Sequence, residues 1–269
     1  MKVAFQGERG AYSEAAIFQR WGGAAKSIPK PVLEDVFDTV ERGEADFALV
    51  PVENTIEGTI NRTLDLLNER SLSIVGEEVL RVILCLVVNF DVEISAVRRV
   101  YSHPQALSQA RGYIRAHNLE PVNFYDTAGS AKMIRDQELK DAAAIASRHT
   151  AEVYGLKVLS EGIEMSSENY TRFLCVGNSV EPPTGRDKTS IVFIVDHRPG
   201  ALIAALRTFA EKGINLMKIE SRPIHGKPWE YAFFIDFEGH RDELIPAMAL
   251  RDLTAIVKSL KILGSYPRA

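Results

Sequence analysis

Cysteine is scarce: Cys85 and Cys175 are the only two in 269 residues. They stand alone, each inside an apolar strand-like run, so we read both as free thiols in the core rather than as a disulfide, metal ligands or a nucleophile. An excess of one charge is missing as well. The 32 Lys and Arg nearly balance 36 Asp and Glu, leaving a net −4, so no basic field exists for a nucleic-acid backbone and none is expected as a partner. Long apolar runs are absent too. The longest, Val82 to Val88, falls far short of the ~20 residues of a spanning helix, so no membrane partner is expected. The first residues, Met1 to Arg9, reach glycine and charge too soon for a signal peptide, and a cytoplasmic protein is expected. His103, His117, His149, His197, His225 and His240 are scattered without cysteines or paired carboxylates at ligand spacing, so no metal is expected. No glycine-rich phosphate loop follows a strand, and no cofactor is expected.

What is present is an ordered composition, 46% apolar, long enough for one large domain or two smaller ones. The clearest seam runs from Asn178 to Lys188, where Glu181-Pro-Pro-Thr-Gly-Arg-Asp separates two apolar strands. Before it, short apolar runs alternate with helical periodicity, the pattern of βα units around mostly parallel sheets. Leu33, Val36, Phe37 and Val40 fall at i, i+3, i+4, i+7, and Ile60, Leu64 and Leu67 repeat the stripe. The stretch Leu72 to Val88, interrupted at Gly76-Glu-Glu, is long for one strand. It fits a crossing between two lobes with a cleft between them, although one continuous sheet fits the same alternation. After the seam the order is strand, helix, two strands, helix, strand: the ferredoxin-like βαββαβ unit.

Three segments of the larger region hold more polar function than a turn needs. Pro51 to Thr59 follows a strand and precedes a helix, the usual ligand crevice of an open α/β sheet, where free N–H groups favour an anion. Thr55 and Thr59 could equally cap that helix while Glu53 and Asn54 solvate the loop. In Tyr101-Ser-His-Pro-Gln-Ala-Leu, Pro104 fits the first helical position, leaving Ser102 or His103 as the cap. Gln105 and Gln109, four apart, would share a helix face. His103 could serve as a general acid, but a lone histidine beside a helix start is more often a hydrogen-bonded structural residue. In Ser166 to Phe173, a threonine, an arginine and an aromatic ring meet at the start of a strand, and a solvated loop with Arg172 in a surface ion pair would explain them too.

Taken together, FQGERGAYSEAA (Phe5 to Ala16), PVENTIEGT (Pro51 to Thr59), YSHPQAL (Tyr101 to Leu107) and NYTRF (Asn169 to Phe173) resemble the motifs of monofunctional prephenate dehydratases. After the seam, GAL (Gly200 to Leu202) and INLMKIESRP (Ile214 to Pro223) resemble the phenylalanine-sensing motifs of the ACT domain that follows the dehydratase in that family. The resemblance begins at Val3, so the chorismate mutase helices of bifunctional relatives are not expected.

The resemblance implies an α/β fold: a two-lobed catalytic domain like a periplasmic binding protein over residues 1–178, with lobes 1–78 plus 159–178 and 79–158. A linker at 179–188 and an ACT domain at 189–269 complete the chain. It implies conversion of prephenate to phenylpyruvate in phenylalanine biosynthesis, with L-phenylalanine as allosteric effector and a homodimer or homotetramer. Thr171, Asn54, Ser102 and Gln109 carry over as active-site residues. Glu53, Thr55, His103, Arg172 and Phe173 are expected around the substrate. Arg172 would neutralise its side-chain carboxylate, Asn54 and Ser102 would anchor it, and a water or a neighbouring acid such as Glu53 or His103 would feed a proton to Thr171. The effector site would use Gly200, Ala201, Leu202, Asn215, Leu216, Glu220, Ser221, Arg222 and Pro223. Two alternatives stay open: an arogenate dehydratase, and a non-catalytic amino-acid sensor.

Overall fold

The computed structural model describes residues 1–224 and 226–269, so His225 lies outside the described residues. The chain opens with β1 (Lys2–Gln6), α1 (Tyr12–Trp21), β2 (Lys26–Lys30), α2 (Leu33–Glu41) and β3 (Phe47–Asn54). β1 pairs in parallel with β2 and β3, and a helix carries the chain back between parallel neighbours. Leu33, Val36, Phe37 and Val40 of α2 are all buried, as their spacing predicts. A short β4 (Gly58–Thr59) folds back on β3, followed by α3 (Asn61–Glu69) and β5 (Ser73–Arg81).

The long stretch from Leu72 does pass from one sheet to another, but the change falls later than Gly76. β5 runs unbroken through Gly76-Glu-Glu, and the chain leaves it at Val82 to reach β6 (Cys85–Val88). Glu77 need not break the strand because Lys188 Nζ meets its two carboxylate oxygens at 2.9 and 2.8 Å in a buried pair.

Next come β7 (Arg99–Ser102), α4 (Pro104–Gln109), α5 (Arg111–Ala116), β8 (Glu120–Asn123) and α6 (Thr127–Asp136). They are followed by β9 (Ala142–Ala146), α7 (Arg148–Tyr154), β10 (Lys157–Glu161) and β11 (Tyr170–Gly177). The strands form two sheets, ordered β2-β1-β3-β11-β5 with β4 on β3, and β10-β6-β9-β7-β8. This is a two-lobed α/β architecture. β10 pairs with β6 through Glu161, so the chain returns to the first sheet after that residue, not at 159. Ala106 and Leu107 of α4 pack on Val100 and Ile145 of the second sheet, which fixes α4 against that lobe.

The rest is β12 (Asp187–Ile194), α8 (Ala201–Ala210), β13 (Leu216–Pro223), β14 (Tyr231–Glu238), α9 (Leu244–Thr254) and β15 (Ser259–Pro267). The antiparallel order β13-β14-β12-β15 is ferredoxin-like. Alternation sends Ile191, Phe193, Ile235 and Phe237 towards Ala205, Phe209, Leu250 and Leu253 of the two helices.

By compactness the chain divides into Met1–Thr59 with Val79–Phe173, and Ile60–Glu78 with Leu174–Ala269. The second unit thus includes α3 and most of β5, although the sequence seam groups them with residues 1–178. The reason is the sheet face that α8 and α9 leave uncovered, since a sheet in a compact unit needs a second layer. On it Arg222 meets Asp65 at 3.1 and 2.8 Å. Lys261 Nζ donates to the carbonyls of Leu67, Asn68 and Arg70 at 2.8, 2.8 and 2.6 Å. At Gly264 a Cβ would stand 2.1 Å from the Ile74 carbonyl oxygen, so only glycine permits that approach. Among the described residues, no helix is long and apolar enough to cross a membrane.

Candidate active site

The polar segments read from the sequence converge within the first unit. β3 ends at Asn54, and the turn after it is stitched to the start of β11. Thr55 N donates to Tyr170 O at 2.9 Å, Thr55 Oγ1 donates to Glu168 O at 2.7 Å, and Tyr170 N donates back to Thr55 Oγ1 at 2.9 Å. Thr55 is therefore a clamp between two backbone segments, not a cap or a substrate donor. The cap position of α3 falls at Ile60, which offers no side-chain hydrogen bond.

Asn54 points its Nδ2 at Thr171 Oγ1 (3.0 Å), Tyr170 O (3.1 Å) and Asn169 Oδ1 (2.9 Å). Its Oδ1 accepts from the backbone N–H groups of Ile56 and Glu57 at 2.9 and 3.0 Å, an Asx turn that makes the bend after β3. From α4, Gln105 Nε2 and Gln109 Nε2 both donate to the Glu57 carboxylate, at 2.9 and 3.2 Å, so the two glutamines do share a face. Asn169 Nδ2 donates to Gln109 Oε1 at 2.8 Å. Asn54, Gln109 and Thr171 are thus brought into one hydrogen-bonded group, with Thr171 9% exposed.

Other expected residues stand elsewhere. Ser102 is fully buried and donates to Ile145 O at 2.6 Å. Its proton is committed to the second sheet, so it does not anchor a carboxylate. His103 is the cap of α4, its Nδ1 accepting from Gln105 N at 3.4 Å. Successive side chains of a strand alternate faces, so Arg172 and Glu53 lie opposite Thr171 and Asn54. There they pair with each other at 3.8 Å. Neither the expected neutralisation of substrate by Arg172 nor a proton feed from Glu53 fits that placement. Phe173 shares the Thr171 face but is 1% exposed, a core residue rather than a substrate contact. Asn54 spends its amide on protein partners and orients Thr171, so it too is no carboxylate anchor.

Two members of this group were not singled out in the sequence: Glu57 and Asn169, both inside quoted motifs, where only their contacts distinguish them from loop residues. Glu8 accepts from Lys132 Nζ at 3.0 Å and from Tyr125 OH at 3.3 Å, joining the first motif to the start of α6. Asp126 caps that helix, accepting from Gly129 N at 2.7 Å. Burial pushes its carboxyl above the usual range, against the opposing pull of the Gly129 and Ala128 amides.

In the C-terminal region Gly200 precedes α8 with φ +81 and open space where a Cβ would be, so conformation, not close approach, explains the glycine. Ala201 and Leu202 line a cavity of about 340 Å³ with Tyr231 and Phe233. Ser221 pairs with Phe233 across the sheet and shares its face. Asn215 and Leu216 lie at the start of β13, where Asn215 O accepts from Glu238 N at 3.1 Å. Glu220 pairs with Phe234 and Arg222 with Ala232, on the opposite face. There Arg222 and Pro223 line a separate cavity of about 720 Å³ with Asp65 and Trp229. The expected effector residues are therefore split between two faces of one sheet, and Arg222 is engaged by α3.

The prephenate dehydratase family model matches residues 3–181, and the ACT domain model residues 189–254. The bifunctional chorismate mutase/prephenate dehydratase of Aquifex aeolicus is 43% identical over 100% of this chain and 74% of its own length. A solved prephenate dehydratase from Arthrobacter aurescens, in complex with L-Phe, superposes with a TM-score of 0.92 at 36% identity. The match covers 100% of this chain and 90% of that one. A structure described as a novel type of quorum quenching acylase reaches a TM-score of 0.94 at 35% identity, covering 100% and 98%. With both models matching in this order, the chain belongs to the prephenate dehydratase family and carries an ACT domain behind the dehydratase region.

Proposed function

We propose that the chain converts prephenate to phenylpyruvate, with loss of CO2 and water, using the Thr171 hydroxyl at the junction of the two lobes. The supporting observation is that Thr171 Oγ1 accepts from Asn54 Nδ2 at 3.0 Å, which leaves its own proton free to donate. Prephenate carries a ring hydroxyl opposite the departing carboxylate, and its ring becomes aromatic once both groups leave. Aromatisation supplies the driving force. The protein's task is to help a poor leaving group depart, and a positioned proton donor is worth ~10²- to 10⁴-fold in such a step. Threonine is a feeble acid, so Thr171 acts by hydrogen bonding to the leaving oxygen as charge builds on it, and the departing hydroxide takes its proton from solvent water to complete the loss of water. The ring carboxylate departs as neutral CO2, so a grip equal in ground and transition states would not speed the reaction.

The acylase description of one neighbour asks for different chemistry. A threonine nucleophile needs a base to take its proton. Among the described residues, no imidazole or carboxylate is hydrogen-bonded to Thr171, whereas Asn54 donates to its oxygen.

We read residues 1–178 as the catalytic part, acting in the cytoplasm, and residues 189–269 as the regulatory part. L-phenylalanine, bound in the Arthrobacter aurescens relative, is proposed here as effector. The cavity at Ala201 and Leu202, which Asp196, Arg198 and Glu230 also line, is its proposed site, completed by a second copy of the chain in a dimer or tetramer. Linkage then requires prephenate and phenylalanine to change each other's affinity by the same factor. Incubation of purified protein with prephenate and, separately, arogenate tests the assignment: phenylpyruvate absorbance is expected from prephenate. Phenylalanine formed only from arogenate would move the assignment to arogenate dehydratase, and turnover of neither would favour the non-catalytic sensor.

A further inference from the structure

Glu57 and Asn169 do not reach Thr171, yet they decide which way the groups around it point. An amide side chain has one donor end and one acceptor end, so its direction is determined only where a partner is itself one-sided. Three such partners occur here, the first being the Tyr170 carbonyl, which can only accept and does so from Asn54 Nδ2 at 3.1 Å. The backbone N–H groups of Ile56 and Glu57 can only donate, so Asn54 must offer them Oδ1 and turn Nδ2 towards Asn169 and Thr171. The Glu57 carboxylate can only accept, so Gln109 must offer it Nε2 and turn Oε1 towards Asn169 Nδ2. Asn169, fully buried, is then left with Oδ1 facing Asn54.

The two ends reach the same assignment independently. They close a ring: Glu57 backbone, Asn54, Asn169, Gln109, Glu57 carboxylate. We propose that Glu57 and Asn169 are positioning residues for the dehydration, holding this ring in the one sense that makes Thr171 a hydrogen-bond donor to substrate. With Asn169 turned over, its Nδ2 would face Asn54 Nδ2, donor against donor, and push that amide off Thr171. The inference rests on the reading of Thr171 given above.

The test compares Glu57→Gln, Glu57→Asp, Asn169→Asp and Thr171→Ala in the full chain, by steady-state kinetics on prephenate and thermal melting. Glu57→Gln puts a donor where only an acceptor stood, so Gln109 and then Asn169 can turn over while backbone partners still hold Asn54. It is expected to lower kcat about 10-fold or more with KM changed less than about 3-fold. Glu57→Asp stays acceptor-only and should retain most of the turnover. Asn169→Asp has two acceptor ends when ionised but one donor and one acceptor when protonated. Its kcat should therefore be low at about pH 8 and recover towards about pH 5, an acid activation absent from the wild type. A loss in Asn169→Asp that is flat with pH would mark a merely structural role and overturn the proposal. So would wild-type turnover in Glu57→Gln, an exposed position whose replacement is expected to fold, while Thr171→Ala still falls. Normal turnover in Thr171→Ala would overturn the reading of Thr171 and the ring together.

Discussion

A single hydroxyl matters here because of what surrounds it. Thr171 is 9% exposed, so its hydrogen bonds are not interchangeable with water, and the one it accepts from Asn54 fixes the one it can give. Thr171→Ser keeps the oxygen and should retain most of the turnover, measured as kcat on prephenate. Asn54→Ala should lose much more, because it removes the donor and frees the turn at Ile56 and Glu57 together, a change on the ~10²- to 10³-fold scale of losing one preorganised donor. The sequence motifs pointed to Asn54, Gln109, Thr171, Ser102 and Arg172 together, but not to which of them share one hydrogen-bonded group. That distinction depends on strand alternation and on a distant carbonyl, Ile145 O, neither of which leaves a mark on local composition.

The element into which the chain runs from the turn at Glu57 is α3. Its apolar stripe was legible, and Leu64 and Leu67 are buried as their spacing requires. What the stripe could not reveal is which sheet it covers: the periodicity is the same whether α3 packs with the dehydratase strands or, as observed, with β13 and β15. The polar side of the helix decides, through Asp65 with Arg222 and through Lys261 at its last carbonyls. A helix C-terminus is stabilised by a cation that also satisfies its orphan carbonyls. Lys261→Met therefore removes three hydrogen bonds from one charged donor and should cost about 1.5–3 kcal/mol, read from the midpoint of urea unfolding. Only Gly58 and Thr59 separate the turn at Glu57 from Ile60, the cap of α3. The same variant is expected to weaken the response of turnover to phenylalanine, which inhibition curves on wild type and variant would measure.

At the scale of the whole molecule, the βα alternation and the βαββαβ tail follow from periodicity, while the division into compact units does not, because chain order puts residues 60–78 before the seam and packing puts them after it. The first unit is also sensitive to acid through Glu14, fully buried in α1. Burial alone would raise its carboxyl, but bonds from His149, Ser27 and the Gly10 amide, with the His149 charge, bring it below the usual 4.5. As pH falls the unfolded chain takes up that proton first. The stabilisation is thus complete above about 4.5 and lost as pH falls through the lower folded value. Thermal melts between neutral and acid pH should show this slope in the wild type and a shallower one in Glu14→Gln. The central claim is tested most directly by the rate of phenylpyruvate formation from prephenate by Thr171→Ala beside the wild type. The account predicts a kcat lower by about 10²-fold or more with an unchanged melting temperature; equal rates in two equally folded proteins would contradict it.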